Sequence, residues 1–407
     1  MIDLSNLQRY NAVRNQYKGY TIIHPLMRGG IILGEVQERL IDEEWTRIGY
    51  ALCFDCIKGR SDLISNPPVN DFLDDVAKFF GGDVAEHSFG CRGAQFAVMK
   101  MIADSAGGQG SEEYSKTVLV DSLCHYTTLI AAEMNNLRPV EVPNNGSPEY
   151  KISADGFVEK IEAIKRETRQ LPGLIALTHV EPQYGNINPA KEVGRIAKEY
   201  NIPYTINVAY SGGIIPINMK DLQADFLTIS AHKSMASLGP LGFIVSNSDW
   251  ENKIFRKSSL KTDWSGRTFD KKILNIFGCS IGGIPLISSM YSFPHVVERV
   301  KRWDEELEKT RWFIDEMEKI NGIRLIGERP HNHHLLHFET PIFWEISKKH
   351  KRRGFFLADE MVEQGIVGLQ RGLSKHIKLS VYGLTWDEIR KVRDAFVSIV
   401  EKHSGES

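Results

Sequence analysis

The stretch Ser230-Ala231-His232-Lys233-Ser234 offers the clearest chemistry in this chain. Its lysine stands between two apolar, strand-like runs, Ala224 to Ile229 and Phe243 to Val245, among small polar residues and glycines. A lysine there adds little to packing. Desolvated at the mouth of buried strands, its amine becomes a nucleophile toward a carbonyl. Thiols offer a second chemistry. Cys53 and Cys56 form a Cys-x-x-Cys, a spacing that lowers a thiol pKa and permits reversible disulfide or metal chemistry. With Cys91, Cys124 and Cys279 the chain has 5 cysteines, and an odd count argues against a disulfide framework.

Three more sites fall at predicted strand or loop ends, where open α/β sheets bind ligands. Ser88 to Gln95 is a glycine-bounded turn that opens a helix running through Met101, and a helix N-terminus presents free N–H groups to a phosphate. This turn brings in Cys91 and Arg92. In Asp121 to Tyr126, His125 is placed either to stack on an aromatic cofactor or to cap the helix after it. In Asn207-Val208-Ala209-Tyr210, the amide can bond a pyridine nitrogen while Ala209 packs under the ring. Ser230, Ala231 and His232 complete a phosphate cradle beside Lys233. In this order the four sites fit pyridoxal phosphate.

The elements that must position these residues alternate between strand and helix. Thr117 to Asp121, Gly173 to His179 and Ile202 to Asn207 are short apolar runs of the kind that form buried parallel strands. Helical stretches, Thr127 to Asn136 and Pro189 to Tyr200, separate them. The pattern predicts an α/β large domain with a mostly parallel sheet over residues 1–284. A long helix from Val296 to Ile320 then leads a smaller α+β domain over 285–407. At 407 residues the chain is long enough for two domains. A net charge of −2 does not by itself point to nucleic acid. No run reaches the roughly 18 apolar residues of a membrane span, and no signal peptide opens the sequence, so the expectation is a cytoplasmic protein without a membrane role.

Longer motifs carry a family resemblance. They include Leu26-Met27-Arg28-Gly29-Gly30, Cys53-Phe54-Asp55-Cys56 with Gly59-Arg60, Gly90-Cys91-Arg92, His125-Tyr126-Thr127, Tyr184-Gly185-Asn186 and Asn207 to Tyr210. Ser230 to Met235, Phe277-Gly278-Cys279, Ser292 to Lys301 and Ser380 to Leu384 continue the match. Over nearly its whole length the chain resembles the O-phosphoseryl-tRNA:cysteinyl-tRNA synthases, pyridoxal-phosphate enzymes of fold type I. The resemblance implies conversion of phosphoseryl-tRNA to cysteinyl-tRNA in a homodimer that works with phosphoseryl-tRNA synthetase and a sulfur donor.

It also implies roles. Lys233 would hold the cofactor and act as base, with Cys91, Arg92, His125, Asn186, Asn207, Ser230, Ala231 and His232 around it. The thiols of Cys91 and Cys124 have no sulfur-handling counterpart in that family and read as small packing groups beside the cofactor positions. Arg28, Arg60 and Arg92 would bind substrate. Cys53, Cys56 and Cys279 would handle sulfur, either as a persulfide or by holding an iron–sulfur cluster. Asn207 stands where most enzymes of this fold place aspartate, which predicts a weaker electron sink. The chain departs from the family at Phe89, where a histidine is usual, and at Ile214, Gly282 and Gln370, where basic residues are expected. A diverged paralogue with another acceptor, a desulfurase-like enzyme acting on free cysteine, and a non-enzymatic tRNA adaptor are the alternative readings. The run Lys348 to Arg353 is a candidate tRNA contact or a solvated helix end.

Overall fold

The computed structural model describes residues 17–42, 51–53, 68–107, 113–268, 276–277 and 280–404. Strands β1 (Val84–Ser88), β2 (Tyr114–Asp121), β3 (Arg138–Val142), β4 (Leu171–Thr178), β5 (Tyr204–Asn207), β6 (Phe226–Ser230) and β7 (Gly242–Ser246) form one sheet, in the order β1-β7-β6-β5-β4-β2-β3. Neighbours from β6 to β3 pair in parallel, whereas β7 runs antiparallel to both β6 and β1.

Sequence chemistry explains the layers. Every residue of β5, β6 and β7 is buried, so both faces of these strands are covered. Side chains alternate across a strand. Leu227, Phe243 and Val245 therefore enter a core with Phe80, Phe157 and Ile206 on one face. Phe226 and Ile244 enter a second core with Val98, Val118 and Leu174 on the other. Helix α1 (Gly90–Gly107) follows β1, α2 (Tyr126–Met134) follows β2, and the single turn α3 (Ala231–Ser234) follows β6. The predicted site motifs thus sit at strand ends of one sheet.

Helix α4 (Gly283–Val300) leads to α5 (Trp303–Glu318), then to an antiparallel sheet of β8 (Arg324–Leu325), β9 (Leu335–Glu339) and β10 (His376–Ser380), closed by helix α6 (Trp386–Ser404). The single helix expected from Val296 to Ile320 is therefore two. The break falls at Lys301 and Arg302, and the second helix restarts with Asp304, Glu305 and Glu306 in its first turn, where its dipole favours acidic groups. The N-terminal segment also departs from expectation. Thr21–Ile22 pairs in parallel with Ile366–Val367, and Ile23 lies in the C-terminal core with Phe313, Phe338 and Phe396. Ile23 thus completes a core built otherwise from residues 313–399, although it comes from the opposite end of the sequence. Among the described residues no helix is long and apolar enough to cross a membrane.

Candidate active site

Lys233 is presented by α3, directly after β6. Its Nζ donates to Tyr210 Oη at 3.0 Å and lies 4.5 Å from the centre of that ring. Tyr210 is fixed in turn, because its carbonyl accepts from His333 Nε2 at 3.0 Å. His333 Nδ1 already accepts the Leu335 N–H, which leaves the ring proton on Nε2. Behind the lysine, the buried Arg299 guanidinium donates to three carbonyls, those of Gly213, Gly29 and Ser234. A planar fork can hold three acceptors that an ammonium could not match in direction. Gly29 and Gly30 lie flat on this turn, and a Cβ at Gly30 would stand 2.0 Å from the His232 carbonyl oxygen.

The ring-nitrogen candidate, Asn207, is 6% exposed at the end of β5. Its Oδ1 accepts from Ala209 N at 3.0 Å and from Cys91 Sγ at 3.2 Å. No described residue takes the hydrogens of its Nδ2. The phosphate-turn candidate begins at Gly90, whose φ of +72° suits glycine, and a Cβ there would lie 3.6 Å from His232 Cε1. That approach brings the turn beside the Ser230–His232 segment, within which Ser230 Oγ is 3.3 Å from His232 Nδ1. The Ala231 N–H is taken by the Leu241 carbonyl. His125 caps α2, accepting the Thr127 N–H at Nδ1, so the capping reading holds and Nε2 carries the proton. Burial first, then the charges of Lys233 and Arg92, lower its pKa to about 4. The ring is neutral at physiological pH. The Lys233 charge also acts on Cys91 and His232, which ties these residues into one site. An amine, an amide with a free donor and a helix N-terminus beside it fit the three ends of pyridoxal phosphate.

Arg92 is exposed and steered by Tyr126, whose Oη accepts from it at 2.9 Å. Arg28 donates Nε to the Tyr382 carbonyl at 2.7 Å, and burial lowers its pKa against the pull of Glu388 and Glu306. Asn186 does not follow its expected role. Its Nδ2 donates to the carbonyls of Glu149 and Tyr150 and its Oδ1 accepts from Glu328 N, so the amide joins three loops. The Cys53 side chain, Cys56, Arg60, Gly278 and Cys279 lie outside the described residues. Strand Ala51–Cys53 nevertheless pairs with Ser280–Gly282, setting Cys53 opposite Ser280.

The departures also have a place. Phe89 is 51% exposed and makes an edge contact with Phe277 at 6.1 Å. Ile214 is buried with Trp303 and Tyr382. Arg371, adjacent to Gln370, is engaged by Asp359, which Arg352 also holds. In the basic run, Lys348 is paired with Glu345, whereas Lys349, Lys351 and Arg353 are exposed. Tyr210 and Arg299 received no role from sequence, although both fall inside quoted motifs. Tyr210 sits three residues after Asn207, a spacing that placed it at the same strand end.

Comparison with known proteins follows the same lines. The sequence matches the class-V aminotransferase family over residues 69–345. It is 45% identical to an O-phospho-L-seryl-tRNA:Cys-tRNA synthase 2 of Archaeoglobus fulgidus, with 95% of each chain covered. The fold superposes on a crystal structure of a SepCysS-SepCysE N-terminal domain complex with a TM-score of 0.86 and 39% identity, covering 99% of this chain and 100% of that one. An apo cysteine desulfurase from Thermococcus onnurineus matches with a TM-score of 0.73 at 14% identity, covering 99% of both chains, which reflects the fold alone.

Proposed function

The chain belongs to the O-phosphoseryl-tRNA:cysteinyl-tRNA synthase family of class-V aminotransferases, and we propose that it converts O-phosphoseryl-tRNA(Cys) to cysteinyl-tRNA(Cys) with pyridoxal phosphate. The observation that carries this reading is Lys233, held against Tyr210 at the end of β6 with the Asn207 amide at the end of β5. When bound, the cofactor supplies an electron sink for the carbon bearing the substrate amine. Lys233 Nζ, kept in place by Tyr210, would take the proton from Cα. A positioned base of this kind contributes roughly 10²–10⁴ in rate. Arg92, exposed beside the phosphate turn, holds the substrate phosphate until it leaves from Cβ, and a sulfur nucleophile fills the vacated carbon. Neutral His125 adds no charge beside the cofactor face.

Cys53, Cys56 and Cys279 deliver the sulfur in this reading, and the pairing of Cys53 with Ser280 supports a shared position for them. The enzyme works in the cytoplasm as a homodimer, in contact with phosphoseryl-tRNA synthetase and a sulfur donor. The solved relative in complex with a partner protein supports assembly of this kind. Lys349, Lys351 and Arg353 form a backbone contact for the tRNA. A single-turnover assay with pyridoxal phosphate and phosphoseryl-tRNA tests the reading. Release of inorganic phosphate is expected, and its absence at saturating enzyme would overturn the first half-reaction.

A further inference from the structure

We propose that the buried thiol of Cys91 is a positioning residue for Asn207, turning its amide so that Nδ2 donates to the cofactor's ring nitrogen and keeps that nitrogen unprotonated. An asparagine can offer either end of its amide, and the two ends have opposite consequences. Its oxygen would accept from a protonated ring, whereas its NH₂ can only donate to a lone pair.

The structure settles which end is free. Ala209 N is a backbone donor 3.0 Å from the amide, and a donor must face oxygen, so the atom there is Oδ1. Cys91 Sγ lies 3.2 Å from the same oxygen. The thiol has other neighbours, the carbonyl and hydroxyl of Thr228, each at 3.4 Å. That carbonyl also accepts Val208 N at 3.0 Å, and Oδ1 is the nearest of the three acceptors to the thiol. Burial raises the Cys91 pKa to about 11, partly countered by the Thr228 hydrogen bond and the Lys233 charge, so the proton stays on sulfur. Two donors therefore converge on Oδ1. Reversing the amide would set N–H against N–H at Ala209 and strand the thiol. Nδ2, with no described partner, is the atom left for a ligand.

The consequence is chemical. An unprotonated ring withdraws electrons less strongly, which favours loss of a good leaving group from Cβ over long-lived carbanion chemistry such as transamination. The inference rests on reading this pocket as a pyridoxal-phosphate site, but does not depend on the tRNA substrate.

The test is nitrogen NMR of the holoenzyme loaded with cofactor labelled with ¹⁵N in the ring. The wild-type resonance is expected at the neutral-pyridine position and to stay there between pH 6 and 8. Asn207→Asp should move it to the pyridinium position. Cys91→Ala leaves Oδ1 with one donor, so its nitrogen should begin to protonate within that pH range, while Cys91→Ser, which restores a donor, should behave as wild type. A wild-type resonance at the pyridinium position overturns the proposal. So does a Cys91→Ala titration identical to wild type. The wild-type spectrum decides the orientation by itself, so failure of Cys91→Ala to bind cofactor does not protect the idea. Failure to turn over phosphoseryl-tRNA would count against the proposed function and leave these spectra unchanged.

Discussion

Lys233 Nζ and Tyr210 Oη stand 3.0 Å apart, and the carbonyl of that tyrosine is gripped by His333, two residues before strand β9. The reactive amine is thus oriented by a phenol whose own backbone is anchored by that histidine. Tyr210→Phe keeps the ring and removes the acceptor. It should retain cofactor binding and lower the rate of phosphate release by about 10- to 100-fold, up to the lower end of what a positioned proton-transfer group contributes, because the phenol orients the base and is not itself the base. Single-turnover kinetics with cofactor saturating check this. An unchanged rate would mean that the phenol does not orient the amine.

Arg299 holds the turn from behind through the carbonyls of Gly213, Gly29 and Ser234. Arg299→Lys keeps the charge but cannot reach three directions, leaving buried carbonyls unpaired at about 1–3 kcal/mol each. Denaturant titration should show a loss of that order, with cofactor affinity falling in parallel. A variant as stable as wild type would show that water satisfies these carbonyls.

The parts legible in the sequence were those encoded locally. Buried strands announce themselves as continuous apolar runs, so β4, β5 and β6 and the motifs at their ends could be placed without coordinates. Arg299 could not be read, because its three partners are backbone atoms 65 to 270 positions away. A carbonyl leaves no trace in side-chain identity. Asn186 misled for a related reason. Its motif looked like cofactor chemistry, but the atoms it binds are loop carbonyls and one N–H. Ile23 likewise joins the C-terminal core by long-range packing.

Acid should destabilise the fold through its buried histidines. Burial is the leading cause that lowers His179, His331 and His337 to about 4 and His334 to about 3, and it takes His333 well below 6.5. Above pH 6.5 these rings are neutral folded or unfolded. As pH falls from 6.5 toward 4 the unfolded chain takes up protons that the folded chain refuses, each at up to about 1.4 kcal/mol per pH unit. Asp121, raised to about 7 chiefly by burial, works in the opposite sense, its contribution fading as pH rises from 3.8 to 7. Burial raises Glu181, Asp225 and Glu328 in the same sense as Asp121, but these four carboxyls stand against eight lowered imidazoles, His24, His125 and His232 with the five above. Thermal midpoints should therefore drop between pH 7 and 5, and His337→Gln should flatten the slope by about one proton. A midpoint independent of pH in that window would contradict the assignment.

The cysteines should divide the two half-reactions. Ala variants of Cys53, Cys56 and Cys279 should bind pyridoxal phosphate and release phosphate from phosphoseryl-tRNA at rates near wild type. They should fail to make cysteinyl-tRNA when sulfur is relayed on protein, and recover in part with high free sulfide, because elimination needs Lys233 whereas delivery needs an activated thiolate. Equal loss of both steps without rescue would make these residues structural.

The most direct measurement is the identity of the amino acid esterified to tRNA(Cys) after incubation with this protein, pyridoxal phosphate and sulfide. Starting from phosphoseryl-tRNA, wild type should leave cysteine on the ester, and Lys233→Ala, folded by circular dichroism but without the absorbance of lysine-bound cofactor, should leave phosphoserine. Phosphoserine recovered intact from the wild-type reaction, or cysteine formed equally well by Lys233→Ala, would contradict the account.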